Sequence, residues 1–567
     1  MDNQTETISF LSSAAGLAGK SQDRQTVATH ISTVLLLGDK AVKLKKAVQF
    51  PYLDFSTPER RLAACYDELR LNRRTAPAIY RAVHRITREG NGRLALNGPG
   101  KLVDAAIEMA RFDDDQLFDR LARADRLTVD QMDQLAAQIA RLHETAEVVS
   151  GEGAERFERI IRGNERALAG CPIFLPSEVA DVTGACQRHF QGKAALLDHR
   201  ARSGRVRHCH GDLHLRNICM IDGQPTLFDC LEFNEELATT DVLYDLAFVL
   251  MDLWHRKLPL HANILFNRYL DLTGDEGGVV LLPLFMAVRA VIRAHVTAME
   301  VAETDLACAW KEAEARSYLD LARDFLAENP ALLVAVGGYS GSGKSTVATR
   351  IAPEIGPVPG ARILSSDRIR KKLFGVAPQA RLGPEAYADE ISEQVYATIA
   401  DRAGALVAAG HGVVADAVFD RPSRRDRLAA VAARCNVPFR GLWLDAPADM
   451  LMRRVATRKN DPSDATPAVV IDQLVRQSAP TDWLILDAAG DIEVVSNAAR
   501  LAVRPQSAVE HHAPACSGIR VASASPEPRR SRDQAARLSR NPPDPTCTTS
   551  GAHVPPGSQT IIAWRKP

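Results

Sequence analysis

Apolar and polar positions alternate differently in three parts of the chain. In "THISTVLLLGDKAVKLKKAV" two strand-like runs meet at Gly38-Asp39, and "STPERRLAACYDELRLNRR" then takes up a helical period. From Leu117 onward the pattern is mostly helical, as in "VDQMDQLAAQIARLHETA", so a strand-bearing start and a helical bulk predict two lobes. "AENPAL" closes this part, and beyond it short apolar runs ("LLVAVGG", "GVVADAV", "FRGLWLDA") alternate with helical stretches, the mark of a parallel βαβ sheet. After about Leu501 Pro, Ser and Arg dominate and apolar periodicity vanishes, which predicts a disordered C-terminal tail. The expected domains are therefore 1–327, α+β and bilobal; 328–500, α/β with a parallel sheet; and a tail, 501–567. No repeat at solenoid or propeller spacing is present.

Composition narrows the classes. The 567 residues exceed what one core organises, and 46% are hydrophobic and 25% charged, as in an ordinary globular multidomain chain. With 70 basic and 70 acidic side chains, neither nucleic acid nor a membrane surface is expected as the main partner. The longest apolar stretch, Val279 to Val288, is half of the roughly 20 residues a membrane helix needs. "MDNQTETISF" lacks the basic and apolar segments of a secretory signal, and the ten cysteines form no CxxC pair, so a cytoplasmic chain with reduced thiols is expected.

The strongest chemical motif is "GYSGSGKS", Gly338 to Ser345, which satisfies G-x-x-x-x-G-K-[ST] between an apolar strand and a helix-like run. A glycine-rich loop at a helix N-terminus turns backbone N–H groups onto phosphate oxygens. The spacing assigns Gly338, Tyr339, Ser340, Gly341, Ser342, Gly343, Lys344, Ser345 and Thr346 to ATP, with Lys344 on the β- and γ-phosphates and Ser345 on Mg²⁺. Asp367 follows one predicted strand and Asp416 ends another, which puts both where ligands bind in open α/β sheets. Asp367 is the candidate base for a substrate hydroxyl and Asp416 a candidate Mg²⁺ ligand; the bland reading of each is a helix cap. Arg454 and Arg458, with Arg453 beside them, fall at i,i+4 and are candidates to neutralise a transferring phosphoryl group, or else a solvated basic face. Through "GYSGSGKST", "SSDRIRKKLFG", "VVADAVF" and the arginine-bearing segment, residues 331 to about 500 resemble the small P-loop kinases of the gluconate kinase, chloramphenicol phosphotransferase and zeta-toxin type. That resemblance implies phosphoryl transfer, with the aspartate after the second strand, here Asp367, activating the acceptor hydroxyl.

"HCHGDLHLRNIC", His208 to Cys219, invites a zinc reading, but no second Cys/His cluster completes four ligands. Its spacing instead matches the kinase catalytic loop H-x-D-x-x-x-x-N, with Asp212 as base and Asn217 as Mg²⁺ ligand. "QPTLFDCLEFN" supplies the second metal-binding carboxylate, Asp229, after the turn "IDGQP". Upstream, the strand period puts Lys43 and Lys45 on one face; "AVK" favours Lys43 as the phosphate lysine. Its partner is Glu59 or Glu68, and Ser56-Thr-Pro-Glu59 reads as a capping box, which favours Glu68. Residues 30 to 325 resemble the aminoglycoside phosphotransferase family, small-molecule kinases of protein-kinase-like fold, through "HGDLHLRN", "LFDCLEF", "IARLH" and "DVLYDLAF". The resemblance implies that Asp245 braces the catalytic loop. No G-x-G-x-x-G precedes Lys43 and no A-P-E follows Asp229, which disfavours a peptide-docking kinase. The order of the two parts resembles bacterial proteins that join a phosphotransferase-family enzyme to an ATP-binding domain.

The expected function is ATP- and Mg²⁺-dependent phosphoryl transfer to a small-molecule hydroxyl by two modules in one chain. Two alternatives remain: an ATP-hydrolysing or ATP-sensing regulator whose first module only binds a ligand, and an antibiotic-modifying enzyme. For the second, the short Asp113-Asp114-Asp115 run is the one acidic cluster a polycation could use, and it also reads as a solvated helix start.

Overall fold

In the computed structural model Gly38, at φ +65°, turns the chain between strands β2 (Ser32–Leu37) and β3 (Lys40–Lys45), which pair antiparallel from Leu37↔Lys40 onward. The structure describes residues 4–13, 17, 24–29, 31–50, 53–302, 308–458, 462–476, 480 and 482–504; the tail expected at 501–567 lies outside them from residue 505. With β1 (Arg24–Ala28), β4 (Tyr80–Arg88), β5 (Leu94–Leu96) and β6 (Lys101–Ala110) they form a six-stranded sheet of order β1-β2-β3-β6-β4-β5. Because β3 is central, both its faces are buried: Val42 and Leu44 join an apolar cluster with Leu35, Leu37 and Ile86, while Lys43 and Lys45 point to the other side.

That other side is covered by helix α1 (Pro58–Asn72), whose buried stripe carries Arg61, Cys65, Glu68 and Asn72 at helical spacing. Thr57 caps the helix by accepting from the Arg60 N–H at 3.4 Å, with Pro58 at the first helical position. The capping box expected from Ser56 to Glu59 does not form: the helix begins one residue later than that spacing requires. Arg61 is tied to Asp104 on β6 at 2.7 Å, so ion pairs as well as apolar contacts fix α1 on the sheet.

The second lobe is mostly helical. Helix α2 (Val129–Thr145), the hairpin β7 (Ile218–Ile221) and β8 (Gln224–Leu227), and helices α3 (Val242–His255), α4 (Pro259–Thr273) and α5 (Leu282–Ala302) concern the site. The stretch Glu276–Glu300 is long and apolar enough to cross a membrane by composition, yet 72% of its most apolar window is buried inside the protein. It serves as a core helix here.

A parallel sheet of order β10-β11-β9-β12-β13 follows, from β9 (Leu333–Gly338), β10 (Arg362–Ser365), β11 (Val413–Asp416), β12 (Phe439–Asp445) and β13 (Leu484–Asp487). Helices α6 (Lys344–Ile351), α7 (Ser366–Leu373), α8 (Ala448–Thr457) and α9 (Pro467–Arg476) carry its site residues. Strand β10 is an edge, and helix α4 of the first module covers it. Asn267 Oδ1 accepts from Ile363 N at 2.7 Å, while the Asn263 and Asn267 amides donate to Ala361 O at 3.1 Å each. Two asparagines thus take the place of a neighbouring strand. Arg362, buried beside them, bridges Asp271 (2.6 Å) and Glu276 (2.7 Å) of the first module. One contiguous apolar cluster extends from Phe118 through this seam to Val503. Asn267→Ala is expected to destabilise the protein by about 1–3 kcal/mol, since it strands the partly buried Ile363 N–H; urea unfolding measures it.

Candidate active site

In the first module, Lys43 and Lys45 both reach Glu68 of α1, at 2.7 Å to Oε1 and 2.7 Å to Oε2. Lys43 also pairs with Asp229 Oδ1 at 2.9 Å, and Lys45 with Glu232 Oε1 at 2.5 Å. The choice between the two lysines therefore dissolves: one carboxylate holds both, and only Lys43 bridges to Asp229. Burial opposes the charge on Lys43, but Asp229 and then Glu68 outweigh it and hold the ammonium well above the ordinary lysine range. Glu59 takes no part, being exposed at the start of α1. Asp229 lies just past the β7–β8 hairpin at φ +62°, a backbone state unusual for a non-glycine residue. Its N–H donates to the Tyr80 hydroxyl at 3.2 Å, and the next N–H, of Cys230, to Asn72 Oδ1 at 2.8 Å.

The catalytic-loop stretch is held by carboxylates. His210 N and Gly211 N donate to the two oxygens of Asp245 at 3.1 and 2.8 Å, and Leu215 N donates to Asp252 at 2.9 Å. Burial works against the charge on Asp245, and the hydrogen bond from His143, at 3.1 Å, together with the nearby His210 and Arg289 outweighs it, leaving that carboxyl at about 2. Gly211 sits at φ +81°, and a Cβ there would stand 2.9 Å from Leu231 Cβ, so the loop requires glycine. Asn217 Nδ2 donates to Asp212 Oδ2 and to its carbonyl, both at 2.9 Å, which leaves the Asn217 oxygen as its donor toward a cation. The oxygens of Asn217 and Asp229 are the kind a hard divalent cation takes. Among the described residues His143, Cys209 and Asp245 alone form a cluster with metal-ligand spacing, and Asp245 there is already spent on the loop. His214 lies 3.6 Å from Asp212, its imidazole kept neutral by burial, at about 4. Asp113 caps a short 3-10 turn by accepting from Asp115 N, the plainer reading of that acidic run.

In the second module the loop from Gly338 to Lys344 joins β9 to α6. Gly338 (φ +138°) and Gly341 (φ +91°) pack where a Cβ would come within 2.5 Å of Leu444 O and 2.6 Å of Leu451 O. Gly343 (φ +94°) differs: nothing lies within 4 Å of the place its Cβ would take, a cradle open to a ligand. Tyr339 packs its ring edge-on to Trp443 and offers its carbonyl to Lys344 Nζ at 3.0 Å. Ser345 Oγ donates to Asp416 Oδ2 at 2.7 Å, an oxygen pair suited to Mg²⁺ and not a helix cap. Gly343, Lys344, Ser345 and Asp416 border a cavity of about 360 Å³ that also touches Ser340, Thr346, Asp367 and Arg458. Ser342 is buried beneath the loop.

Asp367 is the second residue of α7, so the end of β10 carries it to the cavity. Burial pushes its carboxyl up, Asp416 adds to the effect, and Lys344 and Arg370 restrain it, giving about 6. A base that must be ionised is then lost below that value. An acid limb near pH 6 in kcat/KM of this module is expected, falling about tenfold per pH unit and moving lower in Asp416→Asn.

One expectation needs correcting. Arg454 and Arg458 do not share a helical face at the site, because α8 ends at Thr457 and Arg458 is extended. Arg458 borders the cavity, whereas Arg454 donates to Ala488 O at 3.0 Å and Arg453 pairs with Asp449. Arg370 and Arg424, which the sequence reading passed over, border the cavity and stack on Tyr387 and Tyr396 at 4.6 and 4.2 Å. Arg370 lies three residues after Asp367, a spacing that marks one helical face. Gln473 of α9 also escaped notice; it accepts from the loop amide of Ser340 at 2.9 Å.

Comparison with known proteins finds two family matches along the chain. Residues 55–278 match the family described as Phosphotransferase enzyme family, and residues 333–480 match the family described as AAA domain. An uncharacterized protein of Mycobacterium tuberculosis (strain ATCC 25618 / H37Rv) is 28% identical over 474 residues, 80% of this chain and 90% of its own, and one of Mycobacterium bovis is equally similar. Among solved structures, a gluconokinase from Sinorhizobium meliloti 1021 is 24% identical (31% of this chain, 95% of its own, TM-score 0.23). A choline/ethanolamine kinase family protein from Mesorhizobium loti is 12% identical (56% of this chain, 98% of its own, TM-score 0.34).

Proposed function

From a chain that joins a phosphotransferase-family module to a P-loop module of kinase type, we infer two sites, each transferring a phosphoryl group from ATP to a hydroxyl of a small molecule. The observation that carries this reading is the position of Asp367, a half-buried carboxylate, on the same cavity as Lys344 and Ser345. A loop that only sensed nucleotide would not need a proton acceptor beside it; one that hydrolysed ATP could use it on water, and acceptor dependence separates that case.

In the second module Lys344 and the loop amides hold the phosphates, Arg458 and Arg370 offset negative charge, and Asp367 takes the acceptor's proton. In the first, Lys43, fixed by Glu68, orients the phosphates and Asp212 takes the proton, with Asn217 restraining its carboxylate. Asn217 and Asp229 in one site, and Ser345 and Asp416 in the other, would hold Mg²⁺, which would neutralise phosphate charge. Catalysis then rests on positioning and electrostatics, since phosphoryl transfer leaves little covalent work to the protein.

ATP consumption scored with and without a metabolite extract tests the reading. Acceptor-dependent turnover with products one phosphate heavier is expected; turnover that needs no acceptor and yields only phosphate would overturn it in favour of an ATP-driven regulator.

A further inference from the structure

A second cavity, of about 490 Å³, lies in the seam between the modules. That volume is within the roughly 300–1,000 Å³ of small-molecule sites. Helices α2 and α4 of the first module form one wall through Asp133, Ala137 and Leu272; α7 and the chain after it form the other. The short helix α7 therefore separates two cavities. Asp367 and Arg370 border the phosphate cavity, and Arg368, Ile369 and Lys372 border the seam.

The charge on these walls does not balance. Arg268, Arg362, Arg368, Lys371, Lys372 and Arg402 line the seam cavity, against two lining carboxylates, Asp133 and Asp271. Adding the carboxylates that pair with this set from outside, Glu276 and Asp464, gives six positive charges to four negative. Asp271 alone is shared by three guanidinium groups, at 2.6 Å from Arg362, 3.3 Å from Arg368 and 3.5 Å from Arg268. Burial and then the neighbouring Arg268 push the Arg368 guanidinium below its ordinary range, as crowding of like charge should. Lys372 Nζ adds a further charge nearby, donating to Asp271 O at 2.9 Å. Beside these heads Leu272, Ile369, Val376 and Pro378 give an apolar surface, and Leu272 is 55% exposed at it.

We propose that the seam cavity binds a small organic anion, its phosphate or carboxylate held by Arg368 and Lys372 and its apolar body laid against Leu272, Ile369 and Val376. An anion there supplies the missing counter-charge, and guanidinium groups match both head groups in planar geometry. The site is separate from both phosphoryl-transfer sites and does not depend on their assignment. Its occupant touches the helix that carries Asp367.

Isothermal titration of the full chain with phenyl phosphate and with benzoate tests the proposal, the pair distinguishing the two heads. Benzyl alcohol and inorganic phosphate are the neutral and headgroup-only controls. At least one aryl anion is expected to bind, more tightly than either control, and to keep its affinity in Lys344→Ala. The double variant Arg368→Gln/Lys372→Gln is expected to weaken it by about tenfold or more. Ala137→Trp, an addition at an exposed wall position that removes no bond, is expected to block it while leaving thermal unfolding unchanged. Binding of neither anion, affinity unchanged in Ala137→Trp, or affinity lost in Lys344→Ala would each overturn the proposal.

Discussion

Asp212→Asn is expected to lower the rate of the first module's phosphoryl transfer by about 10²–10⁴-fold, the usual contribution of a positioned general base. The substitution is nearly isosteric, and the Asp212 main-chain carbonyl, which accepts one of the two Asn217 amide bonds, is untouched. Asp245 and Asp252 hold the loop through backbone N–H groups that the substitution does not reach. Structure should therefore survive while the proton acceptor is lost. Single-turnover formation of the phosphorylated product measures the effect, with Lys344→Ala as the counterpart: each substitution should abolish one set of products and leave the other. Loss of all products in one variant, with a singly phosphorylated intermediate accumulating in the other, would mean that the two sites act in series on one substrate.

Glu68→Ala is expected to cost about 3–5 kcal/mol of stability, the scale set by removing one partner from a buried ion pair. The reason lies in what remains: Lys43 and Lys45 are buried, and each keeps one carboxylate, Asp229 or Glu232, where it had two. Both lysines are held above their ordinary range in the folded protein. The stability they contribute is complete below the unfolded lysine value, about 10.4, and is lost only as pH rises past it. The deficit in the variant should thus be flat across neutral pH, as chemical denaturation at several pH values would show. Glu68→Gln keeps an acceptor oxygen for one ammonium and should fall between the two.

Much of the first site was legible because it is written in short spacings. Asp212 and Asn217 lie on one loop, Asp229 follows one hairpin, and the alternation of β3 put Lys43 and Lys45 on one face; the structure pairs Asn217 with Asp212 and Lys43 with Glu68 and Asp229. What escaped depends on chain segments that meet only in three dimensions. Glu232 completes the lysine cluster from across 187 residues, and its one local signal was a carboxylate in the apolar run "LFDCLEF". Gln473 meets the phosphate loop from 133 residues away, and nothing in its neighbourhood announces it. Arg454 was misplaced for a different reason. The helical period continues through Arg458 in sequence, while the helix itself stops at Thr457, and ends are where periodicity says least. The parallel sheet was readable from its apolar runs, but which strand would be an edge, and what would cover it, was not.

That covering has a consequence for where the chain can be divided. The sequence changes character near residue 328, and a cut there would leave each fragment with all the residues of its own catalytic site. The second fragment would nonetheless lose Asn263 and Asn267 and present the outer backbone groups of Arg362–Ser365 to solvent. An uncovered strand edge is a template for pairing with another copy. Separate expression of the P-loop half should accordingly yield a self-associating product, and a shorter gene would make a stickier protein rather than a simpler one.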